Sequence, residues 1–133
     1  MILIINTADS EKIFIGLAKD GKLVVQKEFK AKYRQAEKLL PEIDRLTKKQ
    51  ASKLDGIVVV SGQGPFTALR IGVIIANTLG WALRIPVVGI KLDEFNNVDD
   101  LIKKGLSKLE KIKPGNIIEP FYGKEPNITK KKS

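Results

Sequence analysis

The chain has 133 residues, 43% of them hydrophobic, which suffices for one packed core and excludes a large multidomain enzyme. Lysine and arginine number 24 against 15 aspartate and glutamate, and the formal charge of +9 favours an anionic partner or surface without bearing on fold. Cysteine and histidine are both absent, which excludes disulfide scaffolds, Cys/His zinc sites, cysteine nucleophiles and Ser-His-Asp arrangements.

Ile2 to Ile5 is a compact, mostly β-branched run, the pattern of a central strand buried on both faces. No basic region precedes it, and the apolar stretch around Ile71 to Leu83 is broken by Gly72, Asn77, Thr78 and Gly80, so the expectation is a cytoplasmic protein without a membrane span. Ile13 to Ala18 and Leu23 to Val25 flank Lys19-Asp20-Gly21-Lys22, where Asp-Gly suits the positive φ angles of a tight hairpin. Three sequential antiparallel strands are expected on this pattern.

From about Arg34 to Gln50, Ala36, Leu39, Leu40, Ile43, Leu46 and Thr47 recur at helical spacing, opposite Lys38, Glu42, Arg45 and Lys49. Pro41 falls inside the pattern, so either the helix starts near Leu40 or a longer helix is kinked there. Asp55-Gly56 then turns into Ile57 to Val60, a second buried strand beside the first.

The glycine-rich corner from Ser61 to Pro65 leads into a helix over Phe66 to Arg84 that is apolar on more than one side. Ala68, Gly72, Ala76 and Gly80 form a small-residue stripe along it, suited to close approach of either its own sheet or a partner helix. Ile85 to Ile90 is a short strand opened by Pro86, and Val98 to Lys113 an amphipathic helix with Leu101, Ile102, Leu106, Leu109 and Ile112 on one face. Asp99 and Asp100 sit at its positive end, and Gly105 weakens it.

This order is one half of the actin-like and ribonuclease-H-like folds. The expected class is α/β, an actin-like ATPase (ribonuclease-H-like) half domain: a mixed five-stranded sheet with three N-terminal antiparallel strands and flanking helices. Residues 1–113 form the domain, and 114–133 a C-terminal extension with a basic tail.

Gly62 to Gly72, Gly-Gln-Gly-Pro-Phe-Thr-Ala-Leu-Arg-Ile-Gly, resembles the Gly-x-Gly-Pro-Gly-Ser-Phe-Thr-Gly-x-Arg-Ile-Gly motif of the TsaB (YeaZ) family of threonylcarbamoyladenosine biosynthesis proteins. The resemblance extends to Ile4 to Ala8, Ala36 to Pro41 and Ile85 to Ile90, and more weakly to the tail from Pro120 to Lys130. The resemblance implies that one short helix stands in the place of the usual family member's second domain.

The resemblance implies a non-catalytic scaffold, pairing through its N-terminal helices with a TsaD-type catalytic subunit that modifies the tRNA adenosine beside the anticodon. It further implies a TsaE-type ATPase as partner, tRNA contacted through the complex, and a homodimer when the chain is alone. No intrinsic cofactor is expected, ATP or ADP at the complex interface being left open. On this reading Leu39, Ile43, Leu46, Leu69, Gly72, Val73, Ala76 and Gly80 form the partner interface. Gly62, Gly64, Pro65, Phe66, Thr67 and Arg70 form the motif loop, with no catalytic or metal-binding residues.

Departures qualify the match. The corner lacks the Gly-Ser pair before Phe66, and Ala68 replaces a glycine. Asn6-Thr7 stands where the family has Asp-Thr, removing the carboxylate that catalytic relatives use to hold a metal. Asn6 also reads as a simple turn former, and Gly62 and Gly64 as a plain strand-to-helix turn, since no P-loop lysine comes after them. Lys130-Lys131-Lys132 suits either tRNA phosphates or a solvated terminus. The alternatives are a homodimeric regulatory protein outside the tRNA pathway and, less favoured, a ribonuclease-H-like nuclease.

Overall fold

The computed structural model describes residues 1–9, 11–63 and 66–119. Two largely apolar strands, β1 (Ile2–Asn6) and β4 (Gly56–Gly62), pair in parallel at its centre. β2 (Lys12–Lys19) adds antiparallel to β1, and β3 (Lys22–Lys30) antiparallel to β2. β5 (Val87–Lys91) adds parallel to β4, giving the order β3-β2-β1-β4-β5. The hairpin between β2 and β3 turns on Asp20 and Gly21 at φ 54° and 79°, the paired positive angles that match the twist of the strands.

Side chains alternate along each strand, so the two central strands feed two cores. Leu3, Ile5, Ile57 and Val59 point to one face, where Leu39, Ile43, Val73 and Ala76 cover them. Ile4, Val58 and Val60 point to the other, under Leu101, Ile102 and Leu109. The first cover is α1 (Gln35–Leu46) with α2 (Phe66–Leu83), and the second is α3 (Val98–Leu109). Each fully buried leucine or isoleucine contributes roughly 1.5–3 kcal/mol, so a helix anchored by two of them tolerates a local defect.

Pro41 is such a defect. α1 begins at Gln35 and continues through Pro41, which excludes a start near Leu40. The proline is exposed, and Leu39 and Ile43 on either side are buried against the sheet. Leu40 and Ala36, expected on the buried face, are exposed, because burial follows the narrower four-residue spacing Gln35, Leu39, Ile43, Thr47. Across the top of α1, Glu42 accepts from Lys27 of β3 at 2.6 Å and lies 3.2 Å from Arg45. The Lys27 hydrogen bond leads in holding its carboxyl below the ordinary range.

α3 is capped by Asn97, whose side chain accepts from the Asp100 amide at 2.8 Å, and it ends at Leu109, short of the expected Lys113. Gly105, read from sequence as a weak point, lies flat on β4: a Cβ there would stand 2.5 Å from Val58 Cγ2 and 2.9 Å from its Cγ1. With both branches of the valine in the way, no rotamer relieves the contact. Gly105→Ala would gain about 1 kcal/mol in helix propensity and lose about 1–3 to overpacking. The expected outcome, read from urea unfolding, is a net loss of up to about 2 kcal/mol; a gain would show that α3 stands off the sheet.

The Lys27–Glu42 pair makes a second prediction. A lowered folded pKa means stability that is present above the ordinary carboxylate range and lost as pH falls through the folded value. Lys27→Met is therefore expected to be less stable than the parent at neutral pH, with the gap closing below roughly pH 4. A gap that persists unchanged in acid would assign the loss to packing.

Candidate partner-binding face and glycine corner

The glycine corner joins the end of β4 to α2. Gly62 is the buried last residue of β4, and Phe66 opens α2; Gly64 and Pro65 lie outside the described residues. Thr67 and Arg70 are exposed one turn apart on α2. Of the described motif residues, Gly62 therefore lies at a strand end and Thr67 and Arg70 on an outward helix face.

Beside this corner, at the end of β1, Asn6 Oδ1 accepts from the Ala8 amide at 2.9 Å, which makes Asn6 a turn residue in fact. Asp9 accepts from the amides of Glu11 and Lys12 at 2.7 and 3.1 Å, and the Glu11 bond leads in lowering its pKa. Asn6, Ala8, Asp9 and Lys12, with Phe14, Glu28 and Leu92, line an open cleft of about 330 Å³. Among the described residues no group of three or more carboxylates is gathered closely enough to hold a metal ion.

The small-residue stripe of α2 lies against the sheet of the same chain. A side chain at Gly72 would collide with Thr7, and one at Gly80 with Val87. Leu69, Val73 and Ala76, with Leu39 and Ile43 of α1, are fully buried in the chain's own cores, and Leu46 is half-buried against them. Seven of the eight residues expected at a partner interface are thus buried within this chain, and the eighth, Leu46, packs against its core. Periodicity shows that α2 has two apolar faces and does not show which one meets the sheet.

What the helices present outward is a different set. Ile74 is 52% exposed and Trp81 80%, seven residues apart and hence on one stripe of α2, with Thr67, Arg70 and Thr78 between and beside them. Leu40 of α1 is 48% exposed and, with Pro41, Asp44 and Leu79, lines a shallow apolar groove of about 480 Å³ between the helices. Isolated exposed apolar residues are ordinary, but a tryptophan and an isoleucine in register on one stripe of a helix form a patch.

Two features had no sequence signal. Thr7 is buried, and among the described residues its Oγ1 is a buried side-chain atom without a hydrogen-bond partner. The segment after α3 is fixed to the domain: Asn77 Nδ2 donates to the Ile118 carbonyl at 2.8 Å, and the Ile118 amide donates back to Asn77 Oδ1 at 2.9 Å. Asn116 does the same on edge strand β5, accepting from the Val87 amide and donating to the Val87 carbonyl.

The strand order, with two helices on one face and one on the other, defines an α/β protein of the actin-like ATPase type. A family model described as TsaD, tRNA N6-adenosine threonylcarbamoyltransferase, matches residues 29–119, more than half of the chain, and the chain belongs to that family. Among solved structures it is similar to YeaZ from Pseudomonas aeruginosa, at 26% identity and a TM-score of 0.61, covering 68% of this chain and 43% of that one. An uncharacterized protein from Pseudomonas aeruginosa with similarity to peptidase YEAZ shares the fold, at 24% identity, a TM-score of 0.55 and coverage of 68% and 42%. The chain therefore spans less than half the length of these structures and is TsaB/YeaZ-like over about two-thirds of its own. No curated protein sequence matches it. No helix among the described residues is long and apolar enough to cross a membrane.

Thr7 supplies a test of the packing at the corner. A buried hydroxyl without a partner costs about 1–3 kcal/mol, and valine replaces it with a methyl of similar volume. Thr7→Val is expected to raise unfolding stability by about 1 kcal/mol; a comparable loss would reveal a partner for the hydroxyl.

Proposed function

We propose that the chain is a non-catalytic scaffold partner of a TsaD-type catalytic subunit in tRNA threonylcarbamoyladenosine modification, docking through the outward faces of α1 and α2. The observation that carries this is the Ile74–Trp81 stripe on the outward face of α2, an exposed apolar patch that includes tryptophan, the residue type most often energetically dominant at interfaces. Family membership supports the pathway, and the likeness to YeaZ supports the accessory role. Asn6 supports the absence of independent catalysis, since its carboxamide is held in a turn where catalytic relatives would place a metal-binding carboxylate.

In this reading a TsaE-type ATPase and tRNA reach the chain through the complex, and ATP or ADP binds at the shared interface. When the catalytic subunit is absent, the same apolar face pairs with a second copy of the chain. The cytoplasm is the compartment this role requires.

The test is co-elution with a TsaD-type subunit. Trp81→Ala and Ile74→Asp are expected to keep the parent's circular dichroism and to lose about 2 kcal/mol of binding or more, roughly thirtyfold in Kd. Unchanged co-elution of both variants would contradict the assigned face, and threonylcarbamoyl transfer by the chain alone would contradict the non-catalytic role.

A further inference from the structure

The fold gathers cations that the sequence scatters. β1, β4 and β5 all begin at one end of the sheet, beside the β2–β3 turn: Ile2 is level with Ala18 and Gly56, and Ile57 with Val87. The links that enter β4 and β5 reach the same end, where the Asp55 amide donates to the Met1 carbonyl at 2.7 Å and the Ile57 amide to the Pro86 carbonyl at 3.0 Å. The close of α3 joins them, since a Cβ on Gly56 would stand 3.0 Å from Leu109.

Each of these segments carries exposed cations. Lys19 and Lys22 flank the hairpin turn, and Lys48, Lys49 and Lys53 lie between α1 and β4. Arg84 comes directly after α2, and Lys111 and Lys113 after α3. Among the described residues none of them enters an ion pair, whereas cations elsewhere do, as Arg34 with Glu37 and Lys104 with Asp100. The nearby carboxylates are Asp20, Asp44, Asp55 and Glu110, and Asp55 is taken up by the amino terminus. Across a five-stranded sheet this charge extends about 20 Å, the scale of a polyanion rather than of a small ion.

The backbone supplies an independent sign. Lys48, Lys49 and Arg84 hold φ at 52°, 60° and 58°. After a helix such left-handed positions are cheapest for glycine or asparagine, and an L side chain there loses more than an exposed cation gains from the helix's negative end. Strain kept at three cations on one surface points to a use for their charge. A lipid surface would call for apolar side chains among the cations to enter below the headgroups, and residues 19–22, 47–55, 84–86 and 110–114 expose no large apolar one.

We propose that this end of the domain binds the phosphate backbone of a nucleic acid, by charge and shape and without reading bases. Arg84 lines one cleft with Trp81, so the surface runs up to the edge of the docking stripe. That the nucleic acid is tRNA, held directly by this chain beside a docked subunit, rests on the partner reading above; phosphate binding by the chain alone does not.

The experiment is fluorescence anisotropy of a labelled tRNA transcript with the full chain, from about 50 to about 200 mM salt. Lys48→Gly/Lys49→Gly/Arg84→Gly is expected to bind about tenfold more weakly or worse, and to lower the slope of log affinity against log salt by about 2. It is also expected to melt no lower than the parent, because glycine relieves the left-handed strain. Lys30→Gln/Lys32→Gln/Lys103→Gln removes equal charge from exposed sites away from this end and is expected to stay within about twofold of the parent. Lys19→Gln/Lys22→Gln/Lys53→Gln, which touches no left-handed position, is expected to repeat the loss and carries the test if the glycine variant fails to fold. No tRNA binding by the parent, or equal losses in the end and control variants, would overturn the surface. Variants that lose phosphatidylserine vesicles and keep tRNA would assign it to a membrane instead. No subunit is present in the assay, so failed co-elution with a TsaD-type protein would leave its result standing.

Discussion

Two adjacent strands, β1 and β4, carry apolar side chains on both faces, and the rest of the chain is arranged to cover them. A strand pair of this kind is stable only between two layers. The covering helices meet that demand by bringing backbone close to the sheet, at Gly72 and Gly80 in α2 and at Gly105 in α3. The glycines weaken the helices taken singly and tighten the sandwich, so propensity and packing pull in opposite directions and packing prevails. That close approach also decides the function-bearing surface, because it commits one apolar face of α2 to the sheet and leaves Ile74 and Trp81 on the other.

The edges of the sheet are treated differently. On β5, the outward backbone groups are occupied by side chains: Asn116 at Val87, Lys108 at the Gly89 carbonyl at 3.2 Å, and Glu94 at the Lys91 amide at 2.8 Å. An edge so occupied cannot recruit a further strand. β3, at the far side, is largely exposed, and its lysines at 22, 27 and 30 discourage pairing by charge. Association is thereby steered away from the sheet edges and toward the helices.

Most of the fold is readable because period and composition agree in the strands. Ile2–Ile5 and Ile57–Val60 read as buried strands, and Asp20-Gly21 fixes the hairpin between β2 and β3. The failures are of orientation. A stripe of small residues signals that something comes close and does not say what, so Gly72, Ala76 and Gly80 suggest a partner in sequence although they meet the sheet. Spacing alone places Leu40 inward, yet α1 buries only its every-fourth-residue row. The asparagine clamps leave no trace in periodicity, because one carboxamide binding one peptide group depends on two distant segments meeting. The basic tail from Pro120 lies outside the described residues, and the +9 charge is spread along the sequence without a single readable patch.

The central claim is that the outward stripe of α2 is the docking face. A photoreactive residue at Thr78, exposed between Ile74 and Trp81, and another at Lys103, exposed on α3 across the sheet, would compare the two sides directly. With a TsaD-type subunit present, crosslinking is expected from position 78 and not from 103. Crosslinking from 103 alone would contradict the account.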